Sequence, residues 1–353
     1  MTDHKPTPTS EGYRMPAEWE LHDAVWLAWP YDVGTFSQGI ENTERTFCKI
    51  IKHLEGSEKI KLIVLDDKMQ KRAENLLKSS GVDLAGVAFH QVEFTDVWIR
   101  DYGPFFLLNG TKDSLAWVKW QYNAYGKAQD PYFTDLLKDN EVFNKLTPEG
   151  KRFDAGIVLE GGAIEVNGLG TLLTTEQALL NPNRNPHLTQ IEIEKYLKDY
   201  LGVGNIIWLK KGLINDHTDG HIDDIARFVA SDKILVAYED NHEDENFEIL
   251  EANYRKLLLA NDQNGNSFNV IKLPMPHMHF NDGSKSPVSY TNFYIANKVV
   301  LAPTFKDKND ESALSIIQSC FSDRQVVGVD CREIIYGGGS IHCMSQPQPK
   351  LLT

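Results

Sequence analysis

The stretch Ile225-Ala-Arg-Phe-Val-Ala-Ser-Asp232, followed at once by Lys233-Ile-Leu-Val-Ala-Tyr238, decides the fold of this chain. Two β-rich runs flank a short polar Ser-Asp turn, the mark of an antiparallel hairpin. The second run is apolar almost throughout, which predicts a strand covered on both faces. The pattern returns in Pro104-Phe-Phe-Leu-Leu-Asn-Gly110 with Ser114-Leu-Ala-Trp-Val-Lys-Trp120. It returns again in Gly162-Ala-Ile-Glu-Val-Asn-Gly168 with Gly170-Thr-Leu-Leu-Thr174, and in Thr291-Asn-Phe-Tyr-Ile-Ala-Asn297 with Lys298-Val-Val-Leu-Ala-Pro303.

Between the hairpins, apolar residues fall at helical spacing over 43–54, 69–77, 191–201, 246–259 and 312–321. Further β-type runs are Lys61-Leu-Ile-Val-Leu65, Asn205-Ile-Ile-Trp-Leu209 and Val326-Val-Gly-Val329. The unit is therefore strand, strand, helix, strand, with a period of roughly 55–75 residues, and about five units fit the length. Small sequential sheets set around an axis close into a propeller-like ring without exposed edges. The expected fold class is α/β. A two-domain dinucleotide-binding fold is disfavoured, because no G-x-G-x-x-G follows a strand. One domain is expected over 1–353, with the ring spanning roughly 13–350 and residues 1–12 as an N-terminal tail.

The 353 residues, 41% of them hydrophobic, can bury a large core, and the net charge is −14. Such a charge argues against nucleic acid, whose phosphates need a basic face, and against an anionic membrane surface. It suits a small cationic ligand drawn in by a negative field. No apolar leader and no membrane-length run is present, so a cytoplasmic protein is expected. The four cysteines, at 48, 320, 331 and 343, lie far apart without a C-x-x-C pair, which fits reduced thiols. Cys48 and Cys320 sit in helical apolar patterns and are expected to pack.

Cys343 is different. It ends the run Tyr336-Gly-Gly-Gly-Ser-Ile-His-Cys343, where glycines permit close backbone approach to a ligand. If the units surround an axis, the segments that lead into the hairpins face one cavity, and these are the chemically loaded ones. They are Thr95-Asp-Val-Trp-Ile-Arg-Asp101, Leu159-Glu160-Gly-Gly, His217-Thr-Asp-Gly-His221-Ile-Asp223-Asp, Tyr290-Thr-Asn292 and the Cys343 segment. A thiol, a histidine and carboxylates form a generic hydrolytic set. Taken singly, each has a structural explanation. Arg100 and Asp101 could be an ion pair, Glu160 a solvated turn residue, and Trp98 and Trp120 core. His221 and Asp223 alternate as on a strand, so both would share a face. A competing possibility is a divalent metal on His217, Asp219, His221 and Asp223, with His277 and His279 nearby. It leaves the glycine–cysteine segment without a role.

From Met15-Pro-Ala-Glu-Trp-Glu20 to Pro349 the chain resembles the agmatine deiminases, within the bacterial-type peptidyl-arginine deiminase group of the guanidine-modifying superfamily. The resemblance rests on Trp98-Ile-Arg-Asp101-Tyr-Gly-Pro104, Leu159-Glu-Gly-Gly162, Gly220-His-Ile-Asp223, Tyr290-Thr-Asn-Phe-Tyr294 and Gly338-Gly-Ser-Ile-His-Cys343, in that order. It implies a five-bladed pseudosymmetric α/β propeller and hydrolysis of agmatine to N-carbamoylputrescine and ammonia, a step toward putrescine and polyamines. By the same resemblance Cys343 is the nucleophile that carries an S-alkylthiouronium, His221 the acid/base and Glu160 its partner. Asp101 and Asp223 hold the guanidinium, and no metal or cofactor is required. Asp96, Trp98, Trp120 and Asp219 are candidates for the distal ammonium, with Asp219 and Trp98 favoured, and Asn292, Gly338 and Gly339 complete the substrate site. The expected partners are a cationic guanidine and a second copy of the chain in a homodimer. The alternatives are a deiminase acting on free or peptidyl arginine, the metal-dependent hydrolase, and a degenerate propeller that only binds.

Overall fold

Ala226–Ala230 pairs antiparallel with Lys233–Tyr238, the helix Phe247–Leu258 follows, and Asn269–Pro274 returns parallel to Lys233–Tyr238. The same unit recurs through this computed structural model, which describes residues 6–352. Phe105–Asn109 and Leu115–Gln121 form a hairpin, and Lys151–Val158 returns parallel after short helices. Ile164–Val166 and Thr171–Thr175 are followed by the helix Gln190–Leu201 and by Asn205–Leu209. Tyr294–Ile295 and Val299–Thr304 are followed by the helix Asp310–Cys320 and by Gln325–Asp330. The result is a mixed α/β fold with five sheets among the described residues.

One hairpin was invisible as a hairpin because its two strands lie at opposite ends of the chain. Gln346–Pro349 pairs antiparallel with His22–Ala28; the helix Ile40–Leu54 and the parallel strand Lys59–Val64 then complete the unit, and Val87–Gln91 extends it. Pro347 and Pro349 are accepted because their strand is at the sheet edge, where a missing N–H costs no ladder bond. Residues 1–5 of the expected tail lie outside the described residues. Thr9–Glu11 forms a turn of 3₁₀ helix, and Thr9 Oγ1 donates to the Lys198 carbonyl at 2.7 Å.

Local chemistry sets the element ends. Thr189 and Glu192 form a reciprocal capping box at the start of Gln190–Leu201, and Gly202 ends it at φ +69°. In Ile40–Leu54, Phe47, Ile50, Ile51 and Leu54 form one buried stripe, each contributing about 1.5–3 kcal/mol by burial. Cys48 lies in that core, Cys320 packs against it, and all four cysteines are free thiols. Among the described residues no helix is long and apolar enough to cross a membrane.

Candidate active site

The hairpins deliver their loaded segments as tight turns, not as strand continuations. Ile99–Tyr102 is a helical turn leading into Phe105–Asn109, and Gly161–Ala163 is a 3₁₀ turn leading into Ile164–Val166. Ile222–Asp224 is another, leading into Ala226–Ala230. The expected strand alternation of His221 and Asp223 is therefore corrected. The 3₁₀ turn, not a pleat, places the two side chains.

Gly162 is the point of convergence. A Cβ there would lie 2.4 Å from Nδ1 of His221 and 3.1 Å from both Oδ1 of Asp101 and Oδ2 of Asp223. Only glycine permits that approach. Its N–H donates to Oδ1 of Asp101 at 2.9 Å, and the Tyr125 hydroxyl donates to Oδ2 at 2.8 Å. Nδ1 of His221 lies 3.8 Å from Asp101. Arg100 does not pair with its neighbour. Its guanidinium donates to Glu18 at 2.8 Å and to the His342 carbonyl at 3.2 Å, and its N–H holds the Cys343 carbonyl at 3.1 Å.

Cys343 is buried against this group. Nδ2 of Asn292 lies 3.0 Å from its Sγ and also donates to Asp224, while Oδ1 of Asn292 accepts from the Ser340 hydroxyl and the His342 N–H. Oδ2 of Asp223 is 3.6 Å from Sγ. Gly339 admits the thiol beside an aromatic wall, since a Cβ there would sit 2.8 Å from the Trp98 ring and 3.1 Å from Sγ. A Cβ at Gly338, φ +97°, would strike His217 at 1.9 Å.

The electrostatics follow from burial and neighbours. Burial, then the charges of Asp223, Asp224 and Asp101, push the Cys343 thiol well above its ordinary value. Burial lifts Asp101 to about 6, with His221 opposing and Asp223 adding. Burial works against Asp223 as well, but the hydrogen bond and charge of His342 hold its carboxyl below the usual aspartate value. Glu160 is fully buried and accepts from Nε of Arg184 at 2.7 Å. Around this site Oε2 of Glu160, Oδ1 of Asp223, both ring nitrogens of His221 and Nε1 of Trp98 are buried without a hydrogen-bond partner. Buried polar atoms are nearly always satisfied, so such a concentration marks a ligand position.

Other sequence candidates lie elsewhere. Trp120 is packed into the core against Phe105 and Tyr200, which corrects its place as a substrate wall. Asp219 is already compensated by Arg184 at 2.7 Å and Lys127 at 3.2 Å, so it is not a free anion for an ammonium. Asp96 lies behind the site, accepting from the hydroxyls of Thr35 at 2.7 Å and Tyr132 at 3.0 Å. Those two residues line a cavity of about 290 Å³ that opens onto Gly337 and Gly338, with Phe133, His217, Phe280 and Tyr336 as its other large walls. None of its lining residues is a lysine or arginine.

The metal alternative is not gathered. Among the described residues the only metal-like grouping is Glu239, Asp244 and His277, where Lys285 already pairs with Asp244. Sequence reasoning missed Glu18, Tyr125, Arg184, Arg227 and His342. Only His342 carried a signal, its position beside the cysteine. Arg227 sits in the repeated hairpin run and Glu18 in the Met15–Glu20 stretch, where neither read as a site residue, and Tyr125 and Arg184 come from segments without periodic or motif character.

The chain matches the profile of the Porphyromonas-type peptidyl-arginine deiminases over residues 14–349. It is 35% identical to the agmatine deiminase of Pseudomonas aeruginosa and 36% identical to that of Ectopseudomonas mendocina, with 99% of each chain covered in both cases. A solved agmatine deiminase of Enterococcus faecalis superposes with a TM-score of 0.87 at 31% identity, covering 98% of both chains. With the motifs, the fold and the matched length in agreement, the chain belongs to the Porphyromonas-type peptidyl-arginine deiminase family.

Proposed function

We propose that this chain hydrolyses agmatine to N-carbamoylputrescine and ammonia, with Cys343 as the nucleophile. The observation that carries the proposal is the cluster of unpartnered buried atoms on Glu160, Asp223 and His221 around Gly162, beside Cys343. A guanidinium is planar, cationic and rich in N–H donors, and carboxylates grip its edges with charge-assisted bonds. Asp101 and Asp223 would take two edges, and the cation would relieve the repulsion between them.

The same cation lowers the cost of the thiolate. Sγ attacks the guanidinium carbon, and the thiol proton passes through His221 to the terminal nitrogen, which leaves as ammonia. The Cys343 S-alkylthiouronium then takes up a water that His221 deprotonates. The C–S bond breaks, giving the ureido product and the thiol. Glu160, held by Arg184, would orient His221 and the guanidinium.

The mouth supports agmatine over arginine. An α-carboxylate would meet aromatic rings and no lysine or arginine in the lining, whereas an ammonium gains cation–π attraction from Phe280 or Tyr336; Lys127 already stands 6.0 Å from the Phe133 ring. Asp96, behind Thr35 and Tyr132, adds a negative field. We read the five sheets as the blades of one pseudosymmetric propeller domain, with Gln346–Pro349 closing the ring on His22–Ala28. Ureido product and ammonia measured from agmatine, arginine and a blocked arginyl peptide test the proposal. Agmatine should be favoured about a hundredfold, near 2.7 kcal/mol. Comparable efficiency on arginine would defeat the substrate and leave the deimination chemistry standing.

A further inference from the structure

His342 stands next to the nucleophile in sequence, and its ring is tied into a buried chain of charges. Its Nδ1 lies 2.7 Å from Oδ2 of Asp223, and its Nε2 lies 3.0 Å from Oε2 of Glu18. The ring is 1% exposed, so no water competes for either nitrogen. Carboxylate oxygens only accept. Glu18 is fixed as an anion, because it also accepts from Arg100 and Arg227 at 2.8 Å each and from the Ile295 N–H at 2.9 Å. Beyond it, Arg227 donates to Glu165 at 3.0 Å. The anionic Glu18 makes Nε2 a donor, and a carboxylate at Asp223 makes Nδ1 a donor as well.

We propose that His342 is a positioning residue of this site, a buried imidazolium that bridges Glu18 and Asp223, keeps the Asp223 carboxylate an anion before substrate arrives, and ties that carboxylate to the loop of Cys343. The backbone completes the tie: the His342 N–H donates to Asn292 at 3.0 Å, and its carbonyl accepts from Arg100. The two guanidinium-facing carboxylates thereby differ. Asp101 has only a backbone N–H and a tyrosine hydroxyl as close donors, and it rises to about 6. Asp223 has a cation at 2.7 Å and is held low despite equal burial. His342 acts through Asp223 and does not touch the reacting carbon.

This inference rests on the proposed guanidinium site, and its test has two arms. In a folded His342→Gln variant, Asp223 loses its cation and should rise as Asp101 does. The acid limb of kcat/KM on agmatine should then move up by about one pH unit and steepen, with KM rising more than kcat falls and recovery at alkaline pH. An unchanged acid limb overturns the proposal. The second arm needs neither the variant nor agmatine. Nitrogen-15 NMR of the histidine-labelled native chain should show both ring nitrogens of His342 protonated at neutral pH. A neutral His342 ring there overturns the proposal even if deimination stands. A chain inert on agmatine with a doubly protonated ring defeats the substrate and keeps His342 as the bridge.

Discussion

Oδ2 of Asp223 lies 3.6 Å from Sγ of Cys343, inside a site that also buries Asp101 and Asp224. A thiol tolerates that neighbour because S–H can donate to a carboxylate, whereas a thiolate at the same distance would be repelled. The resting nucleophile is therefore protonated, and burial together with these carboxylates keeps it so well above the ordinary cysteine value. In the proposed site a guanidinium bound against both would reverse the balance, its positive charge compensating thiolate and carboxylates together.

The ligand-free enzyme should for that reason alkylate slowly. With iodoacetamide at neutral pH the Cys343 rate should be low, and it should rise about tenfold per pH unit through pH 9 without levelling. A plateau with a midpoint below pH 8 would show a preformed thiolate.

Asp101 gives the acid side. Its carboxyl is raised to about 6, so falling pH protonates it and, in the proposed site, would remove one arm of the guanidinium clamp. The efficiency on agmatine should decline as pH drops through about 6. Asp101→Asn should lose at least about two decades at neutral pH and lack that dependence, since a charged hydrogen bond is worth about 2–5 kcal/mol. If the variant stays within roughly threefold of the parent, Asp101 does not hold the substrate.

Arg184 neutralises two carboxylates at once, with Nε on Glu160 and Nη1 on Asp219, both at 2.7 Å. Its fork also donates to the carbonyls of Tyr125 and Thr218. Arg184→Met should cost about 3–5 kcal/mol in denaturant unfolding, because it strands Glu160 in the interior. Arg184→Lys should recover little, since one ammonium cannot reproduce the fork. A loss under about 1 kcal/mol would mean that Glu160 finds another partner or a proton.

Much of this arrangement was legible in the sequence, and the gaps have physical causes. Hairpins announce themselves through local turn chemistry, which is why Ser231-Asp232 marked a unit that the fold contains. The strand pair Gln346–Pro349 and His22–Ala28 has no such turn, because its connection is the whole chain. Motif residues such as Cys343, His221 and Asp101 were readable from their segments. Charge partnership was not. Asp219 looked like a free anion until Arg184, thirty-five positions earlier, was seen against it, and Glu18 gained its role only through Arg100, Arg227 and His342. Trp120 was misplaced because an aromatic in a strand fits a core as well as a ligand wall.

Gly338 tests the loop around the thiol. It takes φ +97°, and a Cβ would meet His217 1.9 Å away. Gly338→Ala should keep the fold and lose at least about tenfold in turnover, since the backbone strain and the clash both act on the segment that aims Cys343. Unaltered kinetics would show that the loop tolerates the displacement.

Covalent catalysis by Cys343 on a guanidinium carbon can be caught by mass spectrometry of an acid-quenched reaction with agmatine. An added mass of agmatine less ammonia is expected on the peptide bearing Cys343 alone, absent from a folded Cys343→Ala variant that no longer turns over. Full turnover by Cys343→Ala, or an adduct that forms on another cysteine instead, would contradict it.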